Sequence, residues 1–402
     1  MDKPLEGVRV IEVAMWAFVP SAGGVLADWG AEVIKIEAPT GDPIRGLVSS
    51  GVGKTDGITY TWELFNRGKR GMALDLNQPA AQKIVYQLAE TADVFLTSLL
   101  PRARKKLAID HDDIRAANPQ IIYAVGSGQG ARGPEAAKGG YDSITFWSRG
   151  SVSASVTPPG ASPIGMPAGA FGDSLSGMAL AGGIAAALAR KARTGEGSFV
   201  DGSLLGTAMW SMQMAIVGAA VAGLAELPKG SRAILANPLV NNYKTKDDRW
   251  LALCMLQPDV YWAGLCTAIG RVDLVDDERF ADIDVRAEHS AECVAELDKT
   301  FATRTLEEWR PILSSQPGQW DVINRVSDVL VDQQAVANGF VQTVDYGEGR
   351  ELPLVSNPVQ FDRTPPQLVP APEFGADTDD ILLSLGWDWD AIIEAKTSGA
   401  VI

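Results

Sequence analysis

Asp173 lies in a glycine-flanked turn, Gly172-Asp173-Ser174, that runs into a stretch without a charged side chain until Arg190. A carboxylate so placed has two readings. By position it is an N-cap, because an aspartate ahead of a helix accepts the first free backbone N–H groups. By chemistry it is a nucleophile: the helix dipole keeps it ionised, and nearby backbone N–H groups can stabilise an oxyanion. The two roles are compatible, and position alone does not separate them.

Other chemistries lack parts. The two histidines, His111 between Asp110 and Asp112 and His289 between Glu288 and Ser290, read as solvated residues on charged faces. That leaves no base for a Ser-His-Asp or Cys-His mechanism, no histidine-ligated metal site, and no G-x-S-x-G elbow to reopen the hydrolase reading. Cys254, Cys266 and Cys293 form no C-x-x-C pair, so neither a zinc site nor a disulfide framework is expected, and a reducing, cytoplasmic compartment is.

Glycine-rich stretches are weak signals here. The run Gly128-Gln129-Gly130-Ala131-Arg132-Gly133 has dinucleotide-site spacing, but Pro134 and Lys138-Gly139-Gly140 follow instead of a helix N-terminus. Residues 14–19, between the first strand and its helix, contain no glycine, so a pyrophosphate would not reach that backbone although Glu37 stands at the ribose position. Gly51-Val52-Gly53-Lys54-Thr55 resembles the tail of a P-loop, but Val48 replaces the leading glycine and the segment reads as a plain loop.

The elements that must position Asp173 follow from periodicity. β-branched runs at 8–13, 31–37, 71–76, 93–98 and 120–125 alternate with helical patterns at 20–29, 79–91 and 112–117. Such alternation needs crossover connections, so an α/β fold with a doubly wound, mostly parallel sheet is expected, its ligand beyond the carboxyl ends of the strands. Two small-residue helices, 174–193 and 203–225, come next, then a linker, a hairpin over 243–253 and a more polar α+β region. The expected division is a large Rossmann-like domain, 1–225 with 330–402, and linkers plus a small α+β domain, 226–329.

A chain of 402 residues is long for one core, and 46% hydrophobic with 21% charged residues is a globular composition. The net charge of −15 argues against a nucleic-acid partner. Residues 202–225 carry no Asp, Lys or Arg and are nearly long enough to span a bilayer, yet serines, glycines and Gln213 dilute them and no basic cluster flanks them. A buried helix is expected there, with no membrane partner. The N-terminus lacks the layout of a signal peptide.

The motif Gly172-Asp173-Ser174-Leu175-Ser176-Gly177-Met178, followed by Arg193-Thr194-Gly195-Glu196-Gly197 and Val200-Asp201, resembles the signature of the class III coenzyme A transferases. Segments 4–10, 26–37, 66–70, 74–76, 140–142, 243–250 and 377–382 fall at that family's positions too, so the resemblance spans nearly the whole chain. It implies an interlocked homodimer, no permanently bound cofactor, and coenzyme A and acyl-CoA as substrates. It also implies that Asp173 forms an aspartyl mixed anhydride and then an aspartyl-CoA thioester. Carried over by position, the coenzyme A contacts are Trp16 near pantetheine, Leu74 by adenine, and Ser98 and Leu99 along the chain. Lys138 and Tyr141 flank the nucleophile. The basic run Arg102-Ala103-Arg104-Lys105-Lys106 places Arg104 and Lys106 toward phosphate, a local provision in an acidic protein.

Similar α-methylacyl-CoA racemases share this fold and need a base on each face of the α-carbon, a histidine and a glutamate. This sequence has Tyr141 and Gln257 at those places, and neither a phenol nor an amide serves near neutral pH. Formyl/oxalyl-CoA members resemble it less, since residues 229–243 hold only Gly230 and Ala17 replaces a glutamine. A larger organic acid is therefore expected as substrate.

Overall fold

A computed structural model describes residues 3–48, 51 and 57–402. The P-loop-like segment therefore lies, apart from Gly51, outside the described residues. Two compact units are present, Met1–Leu227 with Val336–Ile402, and Pro228–Ala335.

The first unit is built on a six-stranded parallel sheet. Its elements in order are β1 (Arg9–Val13), α1 (Phe18–Asp28), β2 (Glu32–Glu37), α2 (Tyr60–Asn66), β3 (Arg70–Ala73), α3 (Pro79–Thr91), β4 (Val94–Thr97), α4 (Pro101–Lys106), α5 (His111–Ala117) and β5 (Ile122–Ser127). A π-helix (Asp142–Arg149), α6 (Val152–Val156), α7 (Phe171–Thr194), β6 (Phe199–Ser203), α8 (Leu204–Ser211) and α9 (Gln213–Ala222) follow. The sheet order is β3-β2-β1-β4-β5-β6. Strands buried on both faces are nearly continuous apolar runs, and their side chains feed two cores. Ile11, Phe95 and Tyr123 pack toward α3 and α5, whereas Val10, Leu96 and Ala124 pack toward α1 and α7.

The order reverses between β1 and β4, which pair with Ile11 opposite Phe95 and Val13 opposite Thr97. In an open parallel sheet the crevice forms beyond the strand ends at such a point. Residues 14–16 and 98–99 leave the sheet there.

The expected helix over 203–225 is replaced by the end of edge strand β6 and by α8 and α9, which bend by 66° at Met212. Nor is that stretch buried throughout. No residue of α9 is buried in this chain, and Trp210, Met214 and Val221 are 71%, 87% and 84% exposed. Hydropathy reports that a face seeks an apolar partner without saying where the partner lies. Helix α7 is long and apolar enough to cross a membrane by length and composition, but Leu180, Ala181 and Ile184 are buried in the core it shares with α1.

The second unit holds an antiparallel sheet of β7 (Val240–Lys244), β8 (Trp250–Cys254) and β9 (Trp320–Val322), with β7 and β8 closing around Lys246-Asp247-Asp248. Helices α10 (Pro258–Ala268), α11 (Ile283–Glu288), α12 (Ser290–Phe301) and α13 (Leu306–Ser314) cover a core that includes Tyr243, Phe301 and Trp309. The short helices α14 (Val326–Val329) and α15 (Gln333–Ala337) lead back to the first unit, where β10 (Val341–Asp345) pairs with β11 (Glu351–Val355). Finally α16 (Thr378–Ser384) and α17 (Trp389–Thr397) join the α3 side of the large core.

Candidate active site

Helix α7 starts at Phe171, preceded by Ala170 in the left-handed conformation with φ 61°. Asp173 is therefore the third helical residue, inside the first turn, and is not the N-cap that its position implied. Asp142, at the head of the π-helix, does the capping: its Oδ2 accepts the Gly172 N–H at 2.9 Å. Such a cap contributes about 1 kcal/mol to a helix start. Gly172 makes it possible, because a Cβ there would lie 2.5 Å from Asp142 Oδ1 and run into the Phe146 ring.

This arrangement frees the Asp173 side chain. Among the described residues it takes part in no hydrogen bond or ion pair. Burial, and then the neighbouring Asp142 charge, push its pKa up to about 7. The helix dipole was expected to keep Asp173 ionised, but the Gly172 N–H already faces the Asp142 carboxylate, and burial followed by the Asp142 charge favours the protonated form. For the same reason the Gly172 N–H is not an open oxyanion donor.

Asp173 lines a cavity of about 340 Å³ together with Trp16, Ser98, Leu99 and Tyr141, four of the positions singled out from the sequence. Trp16 and Tyr141 stand edge to face with ring centroids 6.0 Å apart. Gly128, Gly139 and Gly140 supply bare backbone to the same wall, and Gly128 and Gly140 approach so closely that a Cβ on the first would lie 2.7 Å from the second's Cα. A second cavity of about 270 Å³ shares Met15, Leu99 and Ala103 with the first and carries Leu74.

The turn leaving β1 is held by Ser98 and by two buried polar groups that sequence reading missed, Lys35 and Asp42. Ala14 O accepts from Lys35 Nζ at 2.9 Å, Met15 N–H donates to Ser98 Oγ at 3.0 Å, and Trp16 N–H donates to Asp42 Oδ1 at 3.1 Å. Trp16 adopts φ 68°, a left-handed conformation that costs about 1 kcal/mol for a residue with a Cβ. Behind the turn, Lys35 pairs with Asp42 at 3.0 Å and with Glu12 at 3.1 Å, and Glu12 pairs with Lys69 at 2.7 Å. Burial lowers the Lys69 pKa to about 8 against the pull of Glu12. Burial also opposes the charge on Lys35, but Glu12, Asp42 and Glu37 outweigh it and hold that ammonium above its usual range. A cue existed, since Glu12, Lys35 and Glu37 interrupt otherwise apolar strands and buried charges require partners.

Three expected contacts, Arg104, Lys106 and Lys138, are not on the walls of the cavities. Arg104 is buried under α4, where it bonds Asp110 Oδ1 at 2.9 Å and Leu99 O at 2.8 Å. Its helix turns it inward while Arg102, Lys105 and Lys106 stay exposed. Lys138 lines neither cavity and pairs with Glu135 at 2.7 Å. Lys106, in the last turn of α4, is near enough to Asp75 on the second cavity's wall to reinforce a lowering of its pKa that the Asn77 side chain leads.

Comparison with known proteins places this geometry. The chain is 36% identical to the (R)-2-hydroxy-4-methylpentanoate CoA-transferase of Clostridioides difficile, over 99% of each protein. It is 33% identical to the cinnamoyl-CoA:phenyllactate CoA-transferase of Clostridium sporogenes, over 97% of this chain and 95% of that one. A CAIB/BAIF family protein from Brucella suis superposes with a TM-score of 0.82 at 26% identity, covering 96% of this chain and all of that one. Residues 5–378 match the model of CoA-transferase family III, and the chain belongs to that family of enzymes.

Proposed function

We propose that this enzyme transfers coenzyme A from an acyl-CoA thioester to a free carboxylic acid, with Asp173 as the covalent nucleophile. One observation carries the reading: among the described residues Asp173 is the one carboxylate on the wall of its cavity, and Asp142 relieves it of helix capping. A carboxylate near pKa 7 is also more nucleophilic than an ordinary one while still largely ionised above neutrality.

The Asp173 carboxylate attacks the thioester carbonyl, the C–S bond breaks, and coenzyme A leaves as thiolate. The resulting aspartyl mixed anhydride is attacked by that thiolate at the aspartyl carbonyl, releasing the first acid as carboxylate and leaving an aspartyl-CoA thioester. The acceptor carboxylate then attacks the aspartyl carbonyl and displaces the thiolate, which returns to the acceptor's acyl carbon and frees Asp173. Every bond broken is replaced, no net proton moves, and no permanently bound cofactor enters the cycle. The bare backbone at Gly128, Gly139 and Gly140 gives the developing oxyanions a place to find N–H donors.

In this reading Trp16, Ser98, Leu99 and Tyr141 line the pantetheine end, Leu74 lies by the adenine in the second cavity, and Lys106 serves the phosphates. The exposed apolar side of α8 and α9 supports an interlocked homodimer, which would cover Trp210, Met214 and Val221.

Trapping tests the proposal. Incubation with an acyl-CoA and hydroxylamine should convert Asp173 to a hydroxamate detectable by peptide mass, and Asp173→Ala should lose both the adduct and thioester exchange. Exchange of the α-hydrogen with deuterated solvent, without movement of coenzyme A, would sink the proposal in favour of racemisation.

A further inference from the structure

The described walls of the cavity that Asp173 enters carry no positive charge. Among the described residues lining it there is no lysine, arginine or histidine, and the side chains it presents include Met15, Trp16, Phe18, Leu100, Tyr141 and Leu204. Lys138, Arg149, Arg104, Lys35 and Lys69 are engaged elsewhere. Glu135 takes both Lys138 and Arg149, and Arg149 also donates to Gln129 Oε1 at 2.9 Å. Arg104 is turned away onto Asp110. Lys35 and Lys69 are buried behind the Trp16 turn and neutralised by Glu12 and Asp42.

The adjoining cavity does not relieve this. Its ionisable lining is Glu37, Asp42 and Asp75. A substrate with a second carboxylate would therefore bring that charge beside Asp173 or toward further acids, with no cation among the described residues lining either cavity, Lys106 beyond Asp75 being given to the phosphates of coenzyme A. An unpaired charge taken out of water is strongly disfavoured, whereas an alkyl or aryl group gains from the same surroundings. The edge-to-face pair of Trp16 and Tyr141 offers aromatic surface suited to the latter.

From this lining we infer that the acids exchanged are monocarboxylates with a branched alkyl or aryl group, and that dicarboxylates such as succinate and glutarate are rejected at the Asp173 cavity. The inference rests on the proposed transfer of coenzyme A at that aspartate. It adds a physical rule for substrate choice: selection works by the absence of a counter-charge, so supplying one should relax it.

The purified enzyme would be given 4-methylpentanoyl-CoA, 3-phenylpropanoyl-CoA or glutaryl-CoA as donor, with 4-methylpentanoate, 3-phenylpropanoate, succinate or glutarate as acceptor. The expected kcat/KM for the two monocarboxylate acceptors exceeds that for the dicarboxylates by about 100-fold or more. A dicarboxylate within tenfold of the better monocarboxylate overturns the inference while leaving the transferase reading intact. Exchange with no pair, together with no hydroxylamine adduct on Asp173, overturns both. The variant Leu100→Lys provides the second arm, because Leu100 is 40% exposed and a lysine stem fits there without burial of its charge. It should improve the glutarate-to-4-methylpentanoate ratio about tenfold or more. An unchanged ratio in a folded, active variant overturns the charge rule.

Discussion

Asp142 and Asp173 divide one helix start between them: Asp142 Oδ2 takes the Gly172 N–H at 2.9 Å, and Asp173, one residue later, is left with a free carboxylate whose pKa reaches about 7. Cap and nucleophile are thus separate residues, 31 positions apart in the chain, since 173 less 142 is 31. The cap's charge is one of the two causes of the nucleophile's raised pKa, after burial.

Removing that charge while keeping the cap should therefore move the pH profile. In Asp142→Asn the amide oxygen still accepts a backbone N–H, and the acidic limb of kcat/KM is expected to shift from near pH 7 downward by about 1 unit. A profile measured from pH 5 to 9 with a saturating acceptor acid checks this. An unmoved limb would mean that burial alone sets the Asp173 pKa.

The same shift has a stability consequence of defined sign. Asp173 has a folded pKa of about 7 against the ordinary aspartate value of 3.8, so between those values the folded state holds the proton more tightly than the unfolded chain. Its contribution is favourable at low pH and is lost as pH rises toward 7. Asp173→Asn should consequently be more stable than the parent at pH 8, by about 1–2 kcal/mol after solvent screening. The Tm difference between variant and parent is expected to be larger at pH 8 than at pH 5.5.

Gly172 is required by the approach of Asp142. Gly172→Ala pushes a methyl group onto the Asp142 carboxylate and the Phe146 ring, so it should destabilise by about 1–3 kcal/mol through overpacking and depress kcat by displacing the first turn of α7. Denaturant midpoint and single-turnover rate, measured side by side, separate the two effects.

The buried network behind Trp16 predicts a different pattern. Lys35→Met leaves Glu12 and Asp42 facing each other without their shared ammonium, which should cost about 3–5 kcal/mol. Asp42→Asn keeps an acceptor for the Trp16 N–H and removes the charge that faces Lys35, so a milder loss is expected with a raised KM for acyl-CoA. Thermal melts and KM for the thioester distinguish a general loss of fold from a loosened Trp16 turn.

Arg104 and Lys106 should behave oppositely although they are two residues apart. Arg104→Ala breaks the bonds to Asp110 and Leu99 O and should lower Tm without altering the salt dependence of KM. Lys106→Ala is expected to leave Tm within about 1 °C and to raise KM for acyl-CoA several-fold at low ionic strength, since an exposed cation contributes mainly long-range attraction. Equal effects on Tm would contradict this assignment.

The alternation of β-branched and helical runs was enough to identify the parallel sheet, because crossover topology follows from local periodicity. Helix α3 spans 79–91 as its proline start and apolar spacing require. The edge strand β6 was not legible, because it is short, half-exposed and separated from its partner β5 by the long stretch of chain from Gly128 to Ser198. The exposure of α9 was hidden too, as its composition is that of an interior helix.

By itself, then, the sequence determined the class of sheet, the glycine-flanked aspartate and the shortage of histidine that leaves carboxylate chemistry as the reading with all its parts. Only the tertiary structure decided what that aspartate is free to do. Capping by Asp142, inward rotation of Arg104 and the polar clasp on the Trp16 turn all join residues distant in the chain or turned by their helix. Local spacing fixes which groups a segment carries. Which of them are already bonded, and hence which remain available for chemistry, depends on neighbours that meet only when the sheet and its helices pack.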